Sequence, residues 1–329
     1  MSLHLRFPPE RGRATELDRR MHLELAASLR HVVEQADGVI SFDPSRVESF
    51  IADLEGGSTY PPTAFGRYYD LVASILTDDL EDAERILEEL PSMEPIGPEP
   101  RVWPLGSLDH CPRSRLYYAK LSEGMSPGIT IVPPGPEEIA VFEERYWSAL
   151  DLLRQAVPDL AGEIEVLVRE VVPVAGDPAD TERFDGASHY QLWGGLFLNA
   201  EPAEDRVAMA ERIAHESAHS FLFGNCVDEP LAHNDDEKLY PSPLRSDPRP
   251  MDGIYHATFV SARMHWAMSQ LLESDQLSER ERDSALAARD RDARNFTDGD
   301  DVIRAHADLS PTGAILIAGA REWMAASAA

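Results

Sequence analysis

Apolar residues recur at helical spacing along most of the chain. Over residues 15–35, Leu17, Met21, Leu23, Leu25, Ala26, Leu29 and Val32 fall near one face, which predicts an amphipathic helix. A second helix is expected over 45–54, with Ser45 as its cap and Glu48 completing a capping box. Helical patterns follow over 63–77 and 80–90. Pro91, Pro95, Pro98, Pro100 and Pro104 then break the pattern, with Pro112 close behind. This is the best position for a boundary between a helical N-terminal region, 1–100, and the remainder, 101–329. It serves equally as a long connection inside one domain.

Strand signals concentrate in the middle of the chain. Residues 128–132 are short and β-branched and end at Pro133-Pro134. Residues 163–174 alternate loosely, and 191–198 form a further strand leading into the helix discussed next. Helix is expected over 137–156, 253–272, 278–295, 300–308 and 311–326. The fold class read from these patterns is α+β, predominantly helical, with a few short strands.

One helix carries chemistry. Ile213-Ala214-His215-Glu216-Ser217-Ala218-His219-Ser220-Phe221 contains the pattern H-E-x-x-H. Residues i and i+4 share a helix face, so His215 and His219 can offer two imidazoles to one metal ion, with Glu216 beside them as a base or a holder of water. Asn199 is the expected cap, Pro202 the first turn and Gly224 the stop. Val207, Ala210, Ile213, Ala214, Ala218, Phe221 and Leu222 make an apolar stripe that turns the pair inward. The plainer alternative is two core histidines on a buried helix.

Composition narrows the setting. The chain has 329 residues, 43% of them hydrophobic, enough for a substantial core. No run of 18 apolar residues occurs, so no membrane span is expected. The opening Met1–Phe7 stretch lacks the apolar centre of a signal peptide, and two distant cysteines, Cys111 and Cys226, do not make a disulfide framework. A cytoplasmic protein is expected. The net charge of −29 argues against nucleic acid as a partner, because phosphate and an acidic surface repel. It permits a basic peptide, although acidity also simply aids solubility.

Two histidines do not complete a metal site, and the third ligand separates the possible functions. The extended zinc-protease pattern requires Gly and His three and six residues after the second histidine; here Leu222 and Asn225 stand there. A second protease class draws a Glu from a following helix, yet Glu229 and Glu237 lie in acidic loop sequence. His256 is the better third ligand. It opens a helix capped by Asp252, after a Pro-rich loop from Tyr240 to Met251, and the metal would then lie between two packed helices.

H-E-x-x-H followed by Y-P-x-P-x-R-x-D-P-R-P-x-x-G-x-x-H resembles the HExxH-motif domain family of peptide-modifying proteins. That family accompanies ribosomal-peptide biosynthesis systems. The likeness covers roughly residues 186 to 270, and the downstream tract is far more specific than H-E-x-x-H alone. It implies an enzyme using iron(II) and 2-oxoglutarate to hydroxylate the β-carbon of a peptide residue. It further implies an arginine for the distal carboxylate of 2-oxoglutarate, because the guanidinium fork binds carboxylate bidentately. Arg245 and Arg249 precede His256 within the tract, and Arg263 follows it by two turns. Ser188, His189 and Tyr240 are the residues expected to line a substrate groove, with ordinary turn roles as their alternative. Gly194-Gly195 is read as a bulge admitting a peptide. A zinc peptidase with Glu216 as general base is the rival enzyme, and a binding protein with a metal-stapled helix pair is the non-enzymatic reading.

Overall fold

The apolar periodicity becomes eleven α-helices and seven short strands among the described residues, which are 5–36, 38–125, 128–180, 184–244 and 247–327 of this computed structural model. The fold is predominantly helical α+β, as the sequence pattern predicts. In chain order the helices are α1 (Arg11–Ala36), α2 (Pro44–Glu55), α3 (Pro62–Leu76), α4 (Leu80–Glu89), α5 (Pro112–Gly124), α6 (Pro136–Ala156), α7 (Pro158–Leu167), α8 (Arg206–Asn225), α9 (Met251–Glu273), α10 (Glu279–His306) and α11 (Pro311–Ser327). The strands are β1 (Arg101–Val102), β2 (Ile131–Val132), β3 (Glu170–Gly176), β4 (Gly186–Ala187), β5 (Gly195–Asn199), β6 (Leu239–Tyr240) and β7 (Arg249–Pro250). Among the described residues, no helix is long and apolar enough to cross a membrane.

Several local expectations shift. Asp43, not Ser45, caps α2: its carboxylate accepts the Ser45 and Arg46 backbone N–H groups and the Ser45 hydroxyl. Glu48 is drawn instead to Arg30. Residues 163–167 belong to α7, so the strand expected over 163–174 begins only at Glu170. The two helices expected over 278–295 and 300–308 are one helix, α10. α5 has no counterpart in the sequence reading.

The chain divides into two compact units, and neither ends at residue 100. One combines Thr15–Pro136 with Glu165–Ala200; the other combines Met1–Ala14, Glu137–Ile164 and Glu201–Ala329. The first holds the sheet, in the order β1-β3-β5-β4. β3 runs parallel to β1 and β5, β4 is antiparallel to β5, and β2 pairs with β3 in the antiparallel sense. Tyr117 of α5 packs edge-on against Phe197 of β5 and donates its hydroxyl to the fully buried Glu170, 2.6 Å away, which also accepts from Arg113 and Arg101. Gly194 and Gly195 serve this unit's own packing. Gly194 has φ +86°, and its carbonyl accepts the Arg169 and Glu170 N–H groups, while a Cβ on Gly195 would stand 3.0 Å from the Phe197 ring. The expected peptide-admitting bulge is therefore filled from within.

The second unit is built on α8, α9 and α10. α9 and α10 approach so closely that a Cβ on Gly299 would stand 2.1 Å from the Thr258 hydroxyl, so only glycine fits. Glu163 of α7 accepts from Arg13 at the start of α1, at 2.8 Å, and from Arg263 of α9. Both guanidiniums lie over the Phe221 ring of α8, at 4.7 and 4.9 Å from its centroid. This buried cluster fixes the two helices that carry the histidines.

Asp292 of α10 is fully buried, and neither carboxylate oxygen has a hydrogen-bond partner among the described residues. Burial, reinforced by the negative charge of Glu211 and opposed by Arg291, pushes its carboxyl up to about 8. The unfolded chain releases this proton near its ordinary value of 3.8, while the folded chain retains it, so stability is lost as pH rises from about 4 to about 8. The slope is about 1.4 kcal/mol per pH unit at most. Asp292→Asn should therefore raise the thermal midpoint at pH 8 and leave it little changed at pH 4, as read by calorimetric scans at both.

Candidate metal centre

α8 begins at Arg206, not near Asn199. Asp205 is its cap, accepting the Val207 and Ala208 N–H groups at 3.0 and 2.9 Å. Asn199 ends β5 and donates to the Phe184 carbonyl, and Pro202 lies in the connection before the helix. On α8, Val207, Ala210, Ile213, Ala214, Phe221 and Leu222 are buried, while His215 and His219 keep partial exposure. α9 starts at Met251, two residues earlier than expected, with Pro250 in the cap position and Asp252 inside the first turn. His256 therefore sits in the second turn and is buried.

The three imidazoles meet in a chain. His215 Nε2 and His219 Nε2 are 3.3 Å apart, and His219 Nδ1 lies 2.9 Å from His256 Nδ1. Phe223, one turn beyond His219, stacks on that ring at 6.3 Å and flanks His256 at 5.4 Å. Glu216 Oε1 stands 3.9 Å from His215 Nε2, and the ligand atoms of His215, Glu216 and His219 all lie within 4.8 Å of one another. Burial, and then the neighbouring charges of His215 and His256, hold His219 well below the ordinary imidazole range. Burial also lowers His256, against the pull of Asp252. Both rings are thus kept neutral, the form that binds metal.

The donor set fits a first-row divalent ion. Two nitrogens bound to one tetrahedral zinc stand about 3.3 Å apart, given metal–nitrogen bonds of about 2.0–2.1 Å. The His215–His219 separation matches this edge as it stands. His256 meets the other nitrogen of His219, so a shared ion requires the His219 and His256 rings to turn. The two carboxylates weighed as protease-type ligands do not join the histidines. Glu229 accepts the Thr312 N–H at the start of α11, and Glu237 lies exposed in a turn closed by Asp235.

The remaining expected residues separate. Arg249 lies in β7, paired in register with Tyr240 of β6, and its Nη2 is 2.7 Å from Asp247. Arg245 lies outside the described residues. Arg263 is not placed to bind a cosubstrate: it is 2% exposed, joined to Glu163 and enclosed by Phe7, Phe221 and Phe259. Burial lowers its guanidinium to about 10, with Glu163 opposing and Arg13 adding to the shift. Tyr240 is buried rather than open to substrate; its hydroxyl accepts from Asn234 and its ring lies beside His306. Ser188 and His189 belong to the sheet-bearing unit, where His189 Nδ1 accepts the Gln191 N–H and caps a 3₁₀ turn. His265 is buried and accepts from Trp323 Nε1.

Phe223 and Asp252 escaped the sequence reading as parts of this centre. Phe223 was detectable, because it stands four residues after His219 on the same helix. Compared with known proteins, the chain matches no family model and no curated relative. Histidine-selective NMR tests the centre's electrostatics: His219 should keep the signature of a neutral ring at pH 6.5, where a solvated histidine is half protonated. Half protonation there would show that burial does not govern the site.

Proposed function

We propose that the protein is an iron(II)- and 2-oxoglutarate-dependent oxygenase that hydroxylates the β-carbon of a peptide residue, with His215, His219 and His256 as metal ligands. The observation that carries this reading is the run of three imidazoles, His215 to His219 to His256, two of which burial keeps neutral, with no protease-type Glu among the described residues joining them from a later helix. The motif tract that ends at His256, and its resemblance to the HExxH-motif domain family, supplies the reaction class. When bound, iron(II) with 2-oxoglutarate and dioxygen supplies the oxidising power that turns C–H into C–OH while 2-oxoglutarate becomes succinate.

The chain's own residues would do the rest. Neutral imidazoles leave the ion's charge undiminished for binding an anionic cosubstrate. Partial exposure of His215 and His219 leaves a side open, as a catalytic centre requires and a structural staple does not. Arg249, or Arg245, would hold the distal carboxylate of 2-oxoglutarate by a bidentate contact, for which Arg249 exchanges its present partner Asp247. Glu216, buried beside His215, would orient water or a ligand within the centre. The substrate would be a peptide, and the net charge of −29 favours a basic one. A cytoplasmic setting accords with Cys111 and Cys226 remaining free thiols.

The test is turnover by the full chain, loaded anaerobically with iron(II) and then given 2-oxoglutarate and air. Succinate should form in the wild type and in Glu216→Gln, because hydroxylation needs no carboxylate base to activate water. None should form in His219→Ala. Arg249→Ala should raise the KM for 2-oxoglutarate at least about tenfold. Absence of succinate in the wild type, or cleavage of peptides that Glu216→Gln abolishes, would overturn the reading and leave a zinc peptidase.

A further inference from the structure

We infer that Asp252 is the positioning residue of this centre: it holds His256 as the Nε2–H tautomer and so presents Nδ1 to the metal. The inference rests on the metal reading above and concerns a residue at a position the motif leaves unspecified. Asp252 and His256 stand four residues apart on α9, and Asp252 Oδ1 is 3.9 Å from His256 Nε2. The other nitrogen of His256, Nδ1, faces His219 at 2.9 Å. The two faces of this ring therefore have different neighbours, a carboxylate on one side and the histidine cluster on the other.

A carboxylate accepts and cannot donate, so the His256 nitrogen beside it carries the proton. Nδ1 is then a lone pair. Each neutral ring has one N–H, and the same logic runs along the chain. His219 must donate through Nδ1 to His256, which leaves His219 Nε2 as a lone pair facing His215. One carboxylate at the end thus sets the state of His256 and His219, leaving one lone pair on each ring for an ion that the two share once the rings turn. The 3.9 Å separation is longer than a hydrogen bond. The Asp252 side chain is 62% exposed and can turn, and an ion on His256 makes its Nε2–H a stronger donor that draws the carboxylate in. An acid in the first turn of α9 is also favoured by the helix dipole.

Two measurements on the full chain test this. In metal-free protein with ¹⁵N-labelled histidine, long-range ¹H–¹⁵N spectra should show His256 as the Nε2–H tautomer, and Asp252→Ala should shift it toward Nδ1–H. Cobalt(II) affinity, from competition with a chromophoric chelator, should fall 10- to 100-fold in Asp252→Ala and recover in Asp252→Glu, with helical circular dichroism unchanged. His219→Ala marks the complete loss of the site. No cobalt binding by the wild type would overturn the metal reading and this inference's claim on the metal together. Cobalt binding that is equally tight in Asp252→Ala would overturn this inference alone, as would a His256 tautomer indifferent to the substitution.

Discussion

A single buried carboxylate underlies the histidine-bearing unit. Glu163 joins Arg13 and Arg263, and with them the start of α1, the middle of α7 and the middle of α9. Two guanidiniums share one carboxylate, so the cluster keeps an excess positive charge in a dry interior. The faces of Phe7, Phe221 and Phe259 stand against these cations where hydrogen-bond acceptors are lacking. Removing the carboxylate would strand two buried charges, a loss of about 3–5 kcal/mol against a typical total of about 5–15. Phe221 is two residues from His219, and Arg263 is two turns from His256. The spacing of the histidines therefore inherits its rigidity from a cluster that performs no chemistry.

The centre contrasts with the surface around it. The chain carries −29 overall, yet His219 and His256 are held neutral, walled by Phe223 on α8 and backed by buried aliphatic residues. An acidic surface raises the local concentration of cations, while a neutral interior offers them ligands that need not first lose a proton. The two features act in the same direction on metal loading, one through long-range field and the other through ligand state.

The parts of this arrangement that were legible in sequence are those written in local spacing. The i,i+4 histidines, the helix that bears them and the return helix with His256 all follow from periodicity. Helix ends were less legible. Asn199 and Asp205 are both good caps, and only the connection between β5 and α8 decides between them. α10 was read as two helices because Asn295, Thr297 and Gly299 lower helix propensity, whereas packing of Gly299 on Thr258 keeps the helix whole. α5 begins at Pro112, which reads as the last of a proline-rich loop but occupies a first-turn position. Arg263 misled for a deeper reason. Its partner lies 100 residues away on α7, and no pattern around Arg263 announces it.

The order in which the chain leaves the ribosome gives the Glu163 cluster a further meaning. Glu163 follows Arg13 by 150 residues and Arg263 follows Glu163 by 100, so the cluster closes only when the last of the three is made, 250 residues after the first. At elongation rates of about 5–20 residues per second that interval is on the order of ten seconds or more. The sheet-bearing unit, which runs to Ala200, closes its own buried pair, Asp18 with Arg169, across 151 residues. The histidine centre forms later than either pair's first member. Its three imidazoles meet only after α9 emerges, so any ion it held would be taken up after that point.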